Sequence, residues 1–172
     1  MANKDQPKGF QPWGGLKEVR PMQAQTYNVS TATAIFVYDL VARADDGYID
    51  TAAAQSVYIV GSALTPRTTA DSAAKPILVA SDPFQMFIAQ ADGSDLSSIT
   101  YVGNNCDHLA TTGNTSTFLS KHEIDSSENA AGAAGVQIEA LDDRPDNDWG
   151  EFCDCIVTIY EHYYGRGGTQ YI

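Results

Sequence analysis

The stretch Lys75-Pro76-Ile77-Leu78-Val79-Ala80-Ser81-Asp82-Pro83-Phe84-Gln85-Met86-Phe87-Ile88-Ala89-Gln90 decides the fold. It holds two short apolar runs rich in β-branched and aromatic residues, with a Ser-Asp-Pro turn between them. Each run has the length of a strand, and the proline and turn residues punctuate rather than continue a helix. The same grammar repeats on both sides. Towards the C-terminus, residues 136–141 alternate apolar and polar, and residues 152–160 form the longest convincing strand. Residues 99–103 read as a short strand. Residues 118–124 alternate Phe118, Ser120, His122 and Ile124, which favours a strand over a helix. Towards the N-terminus, residues 26–30, 34–41, 48–50 and 56–61 are extended by the same criteria. Asp45-Asp46-Gly47 and residues 91–95 read as turns, and residues 64–74, 111–117, 129–135 and 142–150 as loops. Short strands about ten residues apart predict an all-β chain, a compact antiparallel β-barrel or sandwich.

Three segments follow. Residues 1–24 read as an extended N-terminal arm, broken by Pro7, Gly9, Pro12, Gly14, Gly15 and Pro21. The arm nevertheless carries Phe10, Trp13 and Leu16, large apolar groups that flexible linkers lack. Such anchors dock on something, either the protein's own body or a neighbour. Residues 25–162 form the β body, and residues 163–172 a tail flexible by composition.

Composition narrows the function. The chain has 172 residues, enough for one domain with a real core; about 70 % of the unfolded surface disappears on folding at this size. No segment approaches eighteen apolar residues, and residues 1–10 hold no apolar signal core, so a membrane partner and a secretory route are not expected. With 22 acidic and 10 basic residues the net charge is −12. That balance argues against nucleic-acid binding, which needs a basic face. Three cysteines, Cys106, Cys153 and Cys155, give neither an even nor a dense set, which fits synthesis in a reducing cytoplasm without a disulfide framework.

Candidate chemistry meets a plainer reading at each point. Cys106, His108, Cys153 and Cys155 could supply four ligands to zinc. The Cys-x-Cys spacing is not that of a zinc knuckle, however, and free cysteines are common core residues. A cysteine nucleophile paired with His108, His122 or His162 has no local signature around it. The carboxylate pairs, such as Asp45 with Asp46 or Asp142 with Asp143, belong to solvated turns of an acidic chain. Asp146-Asn147-Asp148-Trp149-Gly150-Glu151 has the oxygen-rich look of a cation loop, open to weak divalent binding, but lacks the twelve-residue EF-hand register. No phosphate-binding glycine motif is present. The expectation is therefore a non-enzymatic protein without a cofactor or structural metal. Tyr160, Tyr163 and Tyr164 cluster near the C-terminus. They suit either an interface or an ordinary sheet surface.

Some segments resemble a known group. The opening Met1-Ala2-Asn3-Lys4-Asp5, the following Pro7-Lys8-Gly9-Phe10-Gln11-Pro12-Trp13, and the later Asp82–Phe87, Val102–Asp107 and Arg144–Asn147 segments look like parts of small virion structural proteins of tailed bacteriophages, especially marine ones. The likeness runs loosely over most of the chain. It implies a capsid decoration, or cement, protein on the capsid exterior, made in the host cytoplasm. The implied partners are the major capsid protein and further copies of the chain, as a homotrimer. Contact residues would be Phe10, Trp13 and Leu16 on the arm, with Tyr160, Tyr163 and Tyr164 at the other end. A head fibre, a tail part or a host-attachment module is the competing assignment, and a small Cys/His metal-binding domain the third.

Overall fold

The computed structural model describes residues 3–14, 23–30, 33–54, 58–71, 75–93, 96–130 and 135–165, with residues 128–130 given by their backbone alone. The described residues form strands β1 (Gln11–Trp13), β2 (Ala24–Asn28), β3 (Leu40–Arg43), β4 (Ile49–Thr51), β5 (Ile59–Ala63), β6 (Pro76–Ala80), β7 (Met86–Gln90), β8 (Asn105–Leu109), β9 (Glu123–Ala130), β10 (Val136–Leu141) and β11 (Asp154–Ile159). Sheet A runs β1-β7-β11-β10-β8-β9, and sheet B runs β2-β6-β5-β3-β4. Every pairing of neighbouring strands is antiparallel. The all-β expectation holds, as a two-sheet sandwich.

Both sheets curl. Val29, just past β2, bridges Ile49 of β4, and Ala91, just past β7, bridges Ile124 of β9. Sheet B thereby brings its two edge strands together, and sheet A brings its edge strand β9 to the end of β7. Sheet B consequently carries apolar groups on both faces. Leu40 and Ile59 feed the large core shared with sheet A, while their neighbours Val41 and Val60 feed a second core with Tyr27, Val29, Ile35, Ile77 and Val79. All five residues of β5 are buried. Gly61 lets β5 lie close against β6: its φ is +153°, and a Cβ there would run into the Ala80 carbonyl.

The turn at residues 81–85 does not fold β6 back onto β7. It carries the chain from sheet B to sheet A. Asp82 caps it by accepting the Phe84 amide at 2.9 Å.

Several expected elements move. The run 34–41 is extended only in part. Ile35 and Val37 make isolated bridges, Tyr38 turns the chain at φ +74°, and β3 begins at Leu40. The cause is Asp39, whose carboxylate accepts the Phe36 amide at 2.8 Å and closes a local turn. Residues 99–103 form a 3-10 turn at Ile99–Tyr101 rather than a strand, capped by Ser98. Phe118, at φ +55°, sits in a turn, so the strand expected over 118–124 starts at Glu123 instead. That strand, β9, runs on into the expected loop at 129–135. Part of the expected strand 56–61 lies outside the described residues; β5 spans Ile59–Ala63.

The arm belongs to the body. Its Gln11–Trp13 segment pairs with β7 as an edge strand, with Pro12 opposite Phe87. Phe10 is fully buried in the shared core.

Candidate binding face and buried polar seam

The C-terminal end builds an aromatic face on sheet B. Past β11 the chain crosses to β5, where the Ile59 amide donates to the Glu161 carbonyl (3.1 Å) and the Tyr163 amide to the Ile59 carbonyl (2.8 Å). His162 is buried beneath, and its Nδ1 accepts the Tyr164 amide at 3.1 Å. Tyr163 and Tyr164 are thus held outward, 38 % and 44 % exposed. Their rings meet edge to face at 5.0 Å, and Tyr163 meets Tyr58 the same way at 6.5 Å. The Arg43 guanidinium lies 5.5 Å above the Tyr163 ring. The Tyr164 hydroxyl sits 3.3 Å from that of Tyr27; burial first, then this hydrogen bond, push its pKa up to about 12. Tyr160 is half-buried, and among the described residues no ring contact joins it to this group.

The expected arm anchors separate. Trp13 is half-buried on β1, where its carbonyl accepts the Gln85 side-chain amide. Leu16 lies outside the described residues. Phe10 requires a correction: it is spent on the protein's own core and presents no surface to a partner. Its amide donates to the Tyr38 carbonyl (2.9 Å), and its carbonyl accepts the buried Ser62 hydroxyl (2.6 Å). Gly9 makes this entry possible, at φ +74° with a Cβ position overlapping Ser120 and the Tyr38 carbonyl.

Where Phe10 enters, the two sheets meet across a polar seam. His108 on β8 and His122 just before β9 stack at 5.7 Å, and both are buried. Each reaches across to sheet B. His122 Nδ1 accepts the Leu40 amide at 3.3 Å, which leaves its proton on Nε2, 3.5 Å from Asp39 Oδ1. His108 Nε2 lies 3.3 Å from the Ala52 carbonyl, and its Nδ1 has no hydrogen-bond partner among the described residues. The Phe10 ring stands edge-on to His108 at 6.4 Å. Burial lowers the pKa of both imidazoles, that of His122 to about 3. Burial also raises Asp39 to about 6, against the lowering pull of its Ser120 and Phe36 hydrogen bonds.

The cysteines do not join a histidine in a metal site. Cys106, Cys153 and Cys155 are free and buried, and among the described residues no three His, Cys, Asp or Glu side chains form a metal-binding group. His108 turns instead to the seam. Cys153 and Cys155 face each other at 3.7 Å, and the Cys155 thiol holds Cys153 below its ordinary range. Burial, with nearby Asp125, Asp107 and Asp92, pushes Cys106 up to about 12. These thiols are buried packing groups.

In the acidic loop several oxygens are already engaged. Asn147 donates to the Asp142 and Asp154 carbonyls, both at 2.8 Å, and accepts the Asp154 amide at 2.9 Å. Asn3 of the arm donates to the carbonyls of Asp148 (2.8 Å) and Glu151 (2.9 Å). Arg144 bridges Asp142, at 2.8 Å, and Asp154. Between this loop and the arm lies a polar cavity of about 370 Å³, lined by Lys8, Gln11, Ile88, Gln90 and Arg144 among others.

Of the three tyrosines singled out in the sequence, Tyr163 and Tyr164 are exposed and Tyr160 is half-buried. Sequence reading missed the seam, whose only trace is that His122 sits in the alternating run of Phe118, Ser120, His122 and Ile124. Comparison with known families, with curated proteins and with solved structures gave no match.

Proposed function

We propose that this protein is a non-enzymatic structural component of a phage virion, a capsid decoration protein that binds the outer surface of the major capsid protein as an oligomer. The observation that carries the reading is the aromatic face of Tyr163, Tyr164, Tyr58 and Arg43. Tyrosine and arginine are the residues interfaces favour. Rings already fixed by edge-to-face contacts and a backbone pairing lose little entropy on docking. A rigid body suits a cement role, because modest contacts repeated by symmetry over a shell add up. The assignment to a virion rests on the likeness of the Asp82–Phe87 and Val102–Asp107 segments to small phage virion proteins.

Trp13, on the outermost strand of sheet A, is the remaining arm contact for a neighbouring copy or for the shell. Two measurements test the reading. In purified particles the chain should appear in hundreds of copies, in fixed ratio to the shell protein; tens of copies or fewer would point to a fibre, tail or attachment part instead. Tyr163→Ala/Tyr164→Ala should fold normally yet lose at least tenfold in affinity for capsids stripped of the protein. Wild-type affinity in that variant removes the face from the interface. Trp13→Ala should weaken capsid attachment or oligomer formation, and normal behaviour in both assays would exclude the arm.

A further inference from the structure

We infer that the stacked His108–His122 pair is an acid-sensitive latch for the N-terminal arm: protonating it opens the seam and frees residues 3–13 while the rest of sheet A stays paired. The proposal stands whatever the arm's partner is.

The geometry leaves neither ring a comfortable place for a second proton. His122 Nδ1 is occupied as an acceptor by the Leu40 amide, so protonation there sets donor against donor and breaks a bond between the sheets. Among the described residues His108 Nδ1 is buried without a partner, and a Cβ at Gly135 would lie 3.7 Å from it. A charge on one ring also repels a charge on the other across 5.7 Å.

Other groups near the pair supply little compensation. Asp39 faces His122 from sheet B. Asp107, next to His108 on β8, acts on Glu161 and raises it. Glu123, next to His122, responds to Asp5, Asp92 and Lys121. Phe10 from the arm, with Leu40 and Ala52 from sheet B, brings no charge.

The arm is the element this pair secures. Phe10 packs on His108 and bonds the carbonyl of Tyr38, beside Asp39. Gly9 lies on Ser120, whose Oγ accepts the His122 amide at 3.0 Å. Elsewhere the arm is held by the three residues of β1 and by side-chain amides. Gln90 donates to the Lys4 carbonyl (3.0 Å) and accepts the Gln6 amide (2.7 Å). An element with one apolar plug and few backbone bonds opens before the sheets do.

Opening that wets both rings returns them to ordinary histidine behaviour, while Asp39 gives up its raised affinity for a proton. Between pH 7.5 and pH 5 His122 and Asp39 alone raise the open-to-closed ratio about threefold, and His108 adds to this in the same direction. Hydrogen exchange followed by NMR on the full chain tests this. After correction for intrinsic rates, the Phe10 amide should lose at least about threefold in protection from pH 7.5 to pH 5, and β10 and β11 amides far less. In His108→Phe/His122→Gln, which keeps ring packing and an acceptor for Leu40, the Phe10 amide should stay protected at pH 5. Should that variant not fold, the wild-type imidazole signals decide: they should become protonated in step with arm release. Unchanged Phe10 protection at pH 5, release in the folded double variant, or release with both rings neutral would each overturn the latch.

Discussion

Phe10 shows how one side chain can join an arm to a body. Its ring fills the shared core, so Phe10→Ala leaves a void that the surrounding strands cannot fully close. The expected loss is about 3–5 kcal/mol, read from the shift of the urea midpoint. Gly9→Ala should also destabilise, by more than about 1 kcal/mol, because the new Cβ meets Ser120 and the Tyr38 carbonyl at a positive φ. A Gly9→Ala protein as stable as the wild type would show that the arm docks another way. That Phe10 would be an anchor was legible from its place among prolines and glycines. Its destination was not, because an apolar residue on a polar arm looks the same whether it docks in cis or in trans.

At the scale of elements, the strands that read clearly were those with both period and composition in their favour, β6, β7, β10 and β11. β8 was invisible. Its Asn105-Cys106-Asp107-His108 run is polar in sequence, yet all four residues are buried, Cys106 in the shared core and His108 in the seam. Ile99 and Val102 misled in the opposite sense. Their β-branching suggested a strand, but Ser98 caps a 3-10 turn and leaves Ile99 72 % exposed. The acidic loop carries a prediction of its own. Asn147 bonds three backbone groups, the Asp142 and Asp154 carbonyls and the Asp154 amide, so Asn147→Ala should destabilise by about 1–3 kcal/mol in denaturant titrations. Calcium should not rescue it, since it cannot replace the bonds that Asn147 makes, and Asn3 already bonds the Asp148 and Glu151 carbonyls. A calcium-dependent rise in melting temperature would refute that account.

Across the whole molecule, acid stability follows from where the protons go. His108, His122 and His162 are held below their unfolded values, His162 at about 4 and His122 at about 3. Their contribution is intact above about pH 6.5 and is lost as pH falls towards the folded values. Asp39, raised to about 6, and Glu123, raised to about 7, work in the other direction: their contribution is present at low pH and is lost as pH rises through those values. On unfolding the three histidines gain protons, while Asp39, Glu123, Asp154 and Glu161, all raised chiefly by burial, release them. His122→Gln removes one of the gains, so between pH 6.5 and pH 4.5 its stability should fall less, or rise more, with acid than that of the wild type. Identical pH dependence in the two proteins would mean that His122 is not buried neutral.

The path of the chain has a kinetic consequence. Sheet B is drawn from residues 24–80 and most of sheet A from residues 86–159, yet β1 joins sheet A and the segment at Glu161–Tyr163 joins sheet B. Each half thus holds an end of the other, like two hands clasped at the wrists. On a ribosome, β1 must wait for β7 to emerge, and β5 keeps an unfilled edge until residues 161–163 are made. Neither half can finish folding alone, and the closing contacts pair Gln11 with Ile88 and Ile59 with Glu161, far apart in sequence. Chains dominated by such distant pairings fold in milliseconds to seconds. The same clasp means that a single backbone cut in the exposed turn at Pro83-Phe84 should leave two fragments still bound to each other.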